Sequence, residues 1–192
     1  MGQPKACLPW GGGSLLEAQL RAALSAGCRR AVGVVREPVA RQLAKGVAGI
    51  HGSAEIVVSV AEAALGPAGS IAAFVTHAGD LAVEGFAAIS PVDVLPEAWR
   101  VLPALVRAVQ SAGTIMGARP MHRGRGGHPV LVRTAVLKAY ERVYERAGGR
   151  PAPLREVLRA LGKAVRDVEV DSPEAITDLD TPDDFARWAP TL

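Results

Sequence analysis

Two short apolar runs, Ala31-Val32-Gly33-Val34-Val35 and Glu55-Ile56-Val57-Val58-Ser59, lie on either side of a helix-like stretch from Pro38 to Lys45. Strand, helix and strand in that order predict a crossover unit, which joins parallel strands by passing a helix across one face of the sheet. The alternation extends in both directions. Ser14 followed by Glu17 has the spacing of a capping box, and Leu15, Leu16, Leu20 and Leu24 recur at helical intervals until Gly27, which predicts a helix ahead of the first run. Downstream, Ser70 to Val75 reads as a short helix and Phe86-Ala87-Ala88-Ile89 as a buried strand ending at Ser90-Pro91-Val92-Asp93. After Pro96 a helix is expected with Trp99, Leu102, Leu105, Val106 and Val109 on one face, although Pro103 interrupts its regularity.

The rest of the chain follows the same plan. A Gly- and Arg-rich stretch from Arg119 to Gly127 reads as a loop, then come a strand over Pro129–Val132, a helix over Ala135–Arg146 and a helix over Leu154–Leu161. A strand at Val168-Glu169-Val170 and a helix from Pro182, capped by Thr181, close the pattern. The expected fold is α/β, three-layered and Rossmann-like, with a mostly parallel sheet and helices on both faces. A chain of 192 residues, 49% hydrophobic and 21% charged, is large enough for one such domain over residues 1–192. With only 4% aromatic residues its core should be aliphatic.

Composition excludes several classes of function. The net charge of +3 is modest, and no nucleic-acid partner is expected. Its positive residues cluster from Arg119 to Arg133, which suits either an anionic substrate or a solvated loop. Cys7 and Cys28 lack the spacing of a zinc site, and no stretch reaches the roughly 18 apolar residues of a membrane span, so a cytoplasmic protein with ordinary thiols is expected.

Candidate chemistry sits at the carboxyl ends of strands, where open α/β sheets bind ligands. Asp93 follows one such end. Asp178 and Asp180 follow another, one residue apart, so in extended backbone both point to one side and Leu179 to the other. Hard carboxylate oxygens suit Mg²⁺, which binds through one or two carboxylates together with substrate phosphates. Asp180 and Thr181 also suit the N-terminus of the last helix, a role compatible with metal binding.

These residues together resemble the MobA-like family of nucleotidyltransferases, in particular its molybdenum cofactor cytidylyltransferase branch. The family's signature loop runs L-A-A-G-x-S-x-R-M-G-x-x-K, and this chain opens with Met1-Gly2-Gln3-Pro4-Lys5, then Leu8-Pro9-Trp10-Gly11-Gly12 and Leu15-Leu16-Glu17. Further likenesses are Gly66 to Ser70-Ile71, Pro91-Val92-Asp93, Arg125-Gly126-Gly127-His128-Pro129-Val130-Leu131 and Asp178-Leu179-Asp180-Thr181-Pro182-Asp183-Asp184.

The resemblance implies Mg²⁺-dependent transfer of a nucleoside monophosphate from a nucleoside triphosphate to a phosphorylated acceptor, with release of pyrophosphate. Lys5 would contact the triphosphate and Gly2 would allow close backbone approach to it. Asp93 and Asp180 would hold the metal with Asp178 in support, Ser70 would contact the nucleotide, and His128 would shape the acceptor pocket or serve its own Gly-His-Pro turn. CTP and a molybdopterin acceptor are favoured, with a molybdoenzyme as a partner. A non-catalytic nucleotide-binding remnant and a sugar- or polyol-phosphate nucleotidyltransferase are the alternatives. Met1 matches the internal methionine of the signature, so the family's first strand is expected to be missing here. A vacancy is accordingly expected between the strands ending near Val35 and Ile89.

Overall fold

A computed structural model describes residues 2–59, 66–78, 85–137 and 152–190. The chain enters through a single 3₁₀ turn, Lys5–Cys7, and a small hairpin of β1 (Pro9–Trp10) and β2 (Gly13–Ser14). Gly11 and Gly12 join these strands with φ of +51° and +78°, the consecutive left-handed pair of a tight hairpin turn that glycine adopts without strain. Helix α1 (Leu15–Ser25) starts at once, and its expected capping box is formed: Glu17 N–H donates to the Ser14 hydroxyl while Glu17 Oε2 accepts from Ser14 N–H at 2.8 Å. Its apolar stripe of Leu15, Leu16, Leu20 and Ala23 is buried.

The crossover unit is present. β3 (Arg30–Val35) and β4 (Ser53–Val58) pair in parallel from Arg30↔Ser53 to Val35↔Val58, with α2 (Glu37–Ala48) between them in sequence. Helix α2 buries Ala40, Leu43 and Val47, spaced by one and two turns. The third helix, α3 (Gly66–Ala78), is longer than the expected Ser70–Val75.

The larger sheet has five strands: β5 (Phe86–Ile89), β6 (Gly117–His122), β7 (Arg125–Gly126), β8 (Val130–Arg133) and β9 (Val165–Glu169). It is mixed rather than mostly parallel. β8 runs antiparallel to both β5 and β6, whereas β9 runs parallel to β6. The cause is connectivity: one tight turn reverses the chain from β6 into β7, β8 continues in β7's direction, and no helix intervenes to carry the chain back parallel to β6. The stretch Arg119–Gly127, expected as a loop, instead supplies most of β6 and all of β7. Among the described residues the β3–β4 ladder shares no pair with this sheet.

The stretch after Pro96 divides at its second proline. Pro96–Val101 is a 3₁₀ helix and α4 (Leu102–Gln110) follows, with Pro103 in the first turn, where a missing N–H breaks no helical bond. Trp99 therefore belongs to the 3₁₀ segment, and Leu102, Leu105 and Val109 form the buried face of α4. Of the helix expected over Ala135–Arg146, only a beginning at 134–137 falls within the described residues. α5 (Leu154–Leu161) and α6 (Pro182–Trp188) stand where expected.

The main core joins α1, α2, α4 and the 3₁₀ helix to the sheets through Leu16, Leu20, Leu43, Leu105, Val109 and Leu131. A smaller cluster of Leu8, Trp10, Leu15, Leu95 and Leu179 lies beneath the segment that carries the carboxylates. The Phe185 ring meets Trp10 edge-on at 5.9 Å and closes that cluster from α6. Cys7 and Cys28 are free and half-buried, and burial pushes both thiols up, so they are poor nucleophiles. Among the described residues no helix is long and apolar enough to cross a membrane.

Candidate active site

Lys5, Asp93 and Asp180 meet at one point. Lys5 Nζ donates to Asp93 Oδ2 and to Asp180 Oδ1, each at 2.7 Å, across sequence separations of 88 and 175 residues. Local structure delivers each group. The buried Ala6 and Leu8 anchor the turn that carries Lys5, and Leu15 N–H donates to Leu8 C=O at 2.8 Å, fixing that turn to the start of α1. Asp93 sits in the turn after β5. Its carbonyl accepts from Leu179 N–H at 2.7 Å, and Val94 bridges Asp178 in antiparallel fashion, so the two carboxylate segments lie side by side.

The alternation expected at Asp178-Leu179-Asp180 is realised. Leu179 is fully buried in the small apolar cluster while both aspartates are exposed. The helix cap falls to their neighbours: the Asp184 carboxylate accepts from Thr181 N–H at 2.9 Å and Thr181 Oγ1 accepts from Asp184 N–H at 3.1 Å. Asp180 is therefore left to face Lys5.

Electrostatics reinforce this arrangement. Partial burial alone would lower the Lys5 pKa, but the hydrogen bonds and charges of Asp180 and Asp93 outweigh it and raise the value, keeping the ammonium charged. Asp178 is shifted in the unfavourable direction for a carboxylate: partial desolvation of its carboxyl first, then the charges of Asp93 and Asp180, push its pKa up. A cation beside all three would reverse that penalty.

His128 lies close enough to Asp93 and Asp178 to feel both charges. Burial nevertheless dominates and lowers its pKa, so its ring is neutral. Its Nδ1 is buried and has no hydrogen-bond partner among the described residues. The turn is tied down from behind, because His128 N–H donates to Ala175 C=O at 2.7 Å and a Cβ on Gly127 would lie 2.2 Å from that same oxygen. Gly127→Ala is expected to cost about 1–3 kcal/mol, since backbone rather than a flexible side chain would have to yield. A lowered Tm together with displaced His128 resonances in NMR would verify this; a wild-type Tm would refute it.

The remaining candidates are not all gathered here. Gly2 is exposed with φ of +69°, a conformation that favours glycine, and nothing lies within 4 Å of a Cβ placed there. Ser70 lies half-buried inside α3, and among the described hydrogen bonds none joins it to Lys5 or to the aspartates. In the basic cluster Arg119 pairs with Asp167 at 2.6 Å, and Arg133 donates to Ile115 C=O at 2.8 Å and stacks over Phe86. Arg123 and Arg125 stand exposed at the β6–β7 turn, and Arg123 is held there at φ of +51°. Gln19 belongs to no motif; its one signal in the sequence is a polar residue on the apolar stripe of α1, yet its amide contacts the backbone on both sides of Asp93.

Among the described residues no three His, Cys, Asp or Glu side chains converge closely enough to enclose a metal. Two carboxylate oxygens do, however, already grip one cation, the Lys5 ammonium. That donor set fits an ion such as Mg²⁺, which keeps most of its shell for water and phosphate.

Comparison with known proteins agrees with the fold. The chain is 28% identical over 195 aligned residues to the molybdenum cofactor cytidylyltransferase of Escherichia coli strain K12, covering 96% of this chain and 86% of that protein. Among solved structures it resembles the manganese complex of Rv0371c from Mycobacterium tuberculosis H37Rv, with a TM-score of 0.64 and 22% identity over 97% of this chain and 91% of that one. It resembles equally the 2-C-methyl-D-erythritol 4-phosphate cytidylyltransferase of Thermus thermophilus, with a TM-score of 0.64 and 22% identity over 97% and 92% of the two chains. The profile of the MobA-like NTP transferase domain matches residues 1–165, and the chain belongs to that family.

Proposed function

We propose that this chain is a divalent-metal-dependent nucleotidyltransferase of the cytoplasm. It moves a nucleoside monophosphate, from CTP by preference, onto a phosphorylated small-molecule acceptor such as molybdopterin. An acceptor phosphate oxygen forms the new bond to the α-phosphorus as the bond to the β-phosphate breaks, and pyrophosphate leaves. A molybdoenzyme that receives the product is the expected partner.

The observation that carries this proposal is the Lys5 ammonium held between Asp93 and Asp180 at 2.7 Å from each. Asp93 and Asp180 would hold the metal, Mg²⁺ in the first instance, with Asp178 beside them. When bound, the ion neutralises charge on the triphosphate. Lys5 would turn its ammonium to the phosphates. Gly2 leaves room for a phosphate to approach the backbone. His128, neutral and within reach of the Asp178 charge, would shape the acceptor pocket. The E. coli relative, a cytidylyltransferase by name, supports CTP and the molybdopterin acceptor, and the manganese complex of Rv0371c supports a divalent cation.

Thermal unfolding with Mg²⁺ and each of CTP, GTP, ATP and UTP tests the proposal. A nucleotide present at a hundred times its dissociation constant stabilises the native state by about 2.7 kcal/mol, and CTP should give the largest rise in Tm. A larger shift with GTP would reassign the base. No shift with any of the four would reject the transferase.

A further inference from the structure

We infer that Gln19 is a positioning residue for the Asp93 carboxylate, an assignment that rests on the metal-binding role proposed for Asp93. Gln19 is 6% exposed on α1, among the leucines of the apolar stripe. A buried amide is costly unless its hydrogen bonds are made, and here each end has a partner. Trp99 Nε1 donates to Gln19 Oε1 at 2.7 Å. Because an indole N–H can only donate, this contact determines which end of the amide is oxygen. The opposite end then points its NH₂ at the Asp93 turn, donating to Val92 C=O at 3.2 Å and to Val94 C=O.

Those two carbonyls flank Asp93, whose own carbonyl accepts from Leu179 N–H at 2.7 Å. The backbone before, at and after Asp93 is thus fastened to α1 on one side and to the Asp178–Asp180 segment on the other. The Asp93 side chain, in contrast, has the Lys5 ammonium as its described partner, a group on a flexible stem. The direction of the carboxylate is therefore set through the backbone, and Gln19 supplies the half of that grip that comes from outside the carboxylate segments. Trp99, itself buried, holds the Gln19 amide in orientation. A satisfied buried network of this kind is rigid, as a ligand-positioning shell needs to be.

The test compares Gln19→Met, which keeps volume and removes every hydrogen bond, with Trp99→Phe, which removes the indole donor together with part of the ring volume. Val109→Ala, in the main core on α4, is the control for loss of stability alone. Amide hydrogen exchange at Leu179 reports the grip on Asp93 with no ligand present. The Mn²⁺ signal in electron paramagnetic resonance, with and without CTP, reports the site. Gln19→Met should speed Leu179 exchange and weaken Mn²⁺ binding, each by about tenfold, the scale of second-layer effects at metal sites. Trp99→Phe should shift both in the same direction by about threefold, and it serves if Gln19→Met does not fold. Val109→Ala should lower Tm and move neither. Unchanged Leu179 exchange, changes matched by Val109→Ala, or faster exchange with unaltered Mn²⁺ affinity would each overturn the assignment. Should the wild type bind no Mn²⁺, the metal-binding role of Asp93 fails, while Leu179 exchange still decides whether Gln19 holds the turn.

Discussion

Asp93→Ala and Asp180→Ala are each expected to reduce nucleotidyl transfer by about three orders of magnitude while leaving the fold in place. A cation at a transferring phosphoryl group contributes several kcal/mol, and each 1.36 kcal/mol is tenfold in rate, so loss of a ligand removes roughly 10³. Neither substitution empties the core, because the two side chains are 27% and 68% exposed. The Asp93 turn keeps its own fastening, since Leu179 N–H and the Gln19 amide hold backbone carbonyls rather than the carboxylate. Asp178→Asn should have a smaller effect on transfer, about tenfold, as befits a supporting group.

Its effect on stability should run the other way. With a raised pKa, the favourable contribution of Asp178 is present below the ordinary carboxylate range and is lost as pH rises through its folded value. At neutral pH the charged form opposes Asp93 and Asp180, so Asp178→Asn should raise the Tm of the metal-free protein. Steady-state pyrophosphate release and thermal unfolding measure the two effects. Wild-type turnover in Asp93→Ala or Asp180→Ala would reject the assignment of ligands.

Which parts of this site were legible in the sequence follows from the range of the interactions involved. The capping box at Ser14, the cap at Thr181 and the alternation at Asp178-Leu179-Asp180 are local, spanning a few residues, and the structure reproduces all three. The expected meeting of Lys5, Asp93 and Asp180 came from likeness to a family, because no local rule connects residues so far apart in the chain. β6 was hidden by its composition. Pro120 argues against a sheet strand, yet it is fully buried opposite Val168 in the parallel pair with β9. The β8 pairing ends at Ala118, and the Pro120 carbonyl accepts from Gly127 N–H, so its missing N–H costs the ladder nothing on that side. Gln19 was hidden for the opposite reason: one amide in a helix is ordinary until the fold shows that it grips Val92 and Val94. For Ser70, the likeness placed a nucleotide contact where the structure shows a half-buried position inside α3, and the expected role depends on a ligand.

Lys5→Met is expected to have two opposite consequences, a loss of transfer by a factor of about 10²–10³ and a gain in affinity for a divalent cation when nucleotide is absent. The first follows from removing a positive group from the triphosphate. The second follows from what the ammonium does in the free protein. It sits between two carboxylates at 2.7 Å from each, where it neutralises one of their two charges and occupies the space between their oxygens. Its raised pKa fixes the pH range: the stabilising contribution is complete below the ordinary lysine value and is lost only as pH rises through the raised one, so at neutral pH the contact is fully formed. Removing it leaves the carboxylates facing each other without a counter-charge, which lowers Tm and strengthens attraction for any other cation. A unit charge at about 4 Å contributes roughly 1–4 kcal/mol between bulk water and a protein surface. At 29% exposure of Lys5 the lower end applies, and Mn²⁺ should bind about tenfold more tightly to Lys5→Met than to the wild type. Titration calorimetry of Mn²⁺ into the nucleotide-free proteins measures this, and added Mn²⁺ should restore more Tm to the variant than to the wild type. Equal Mn²⁺ affinity in both would mean that the ammonium does not compete for the position between Asp93 and Asp180.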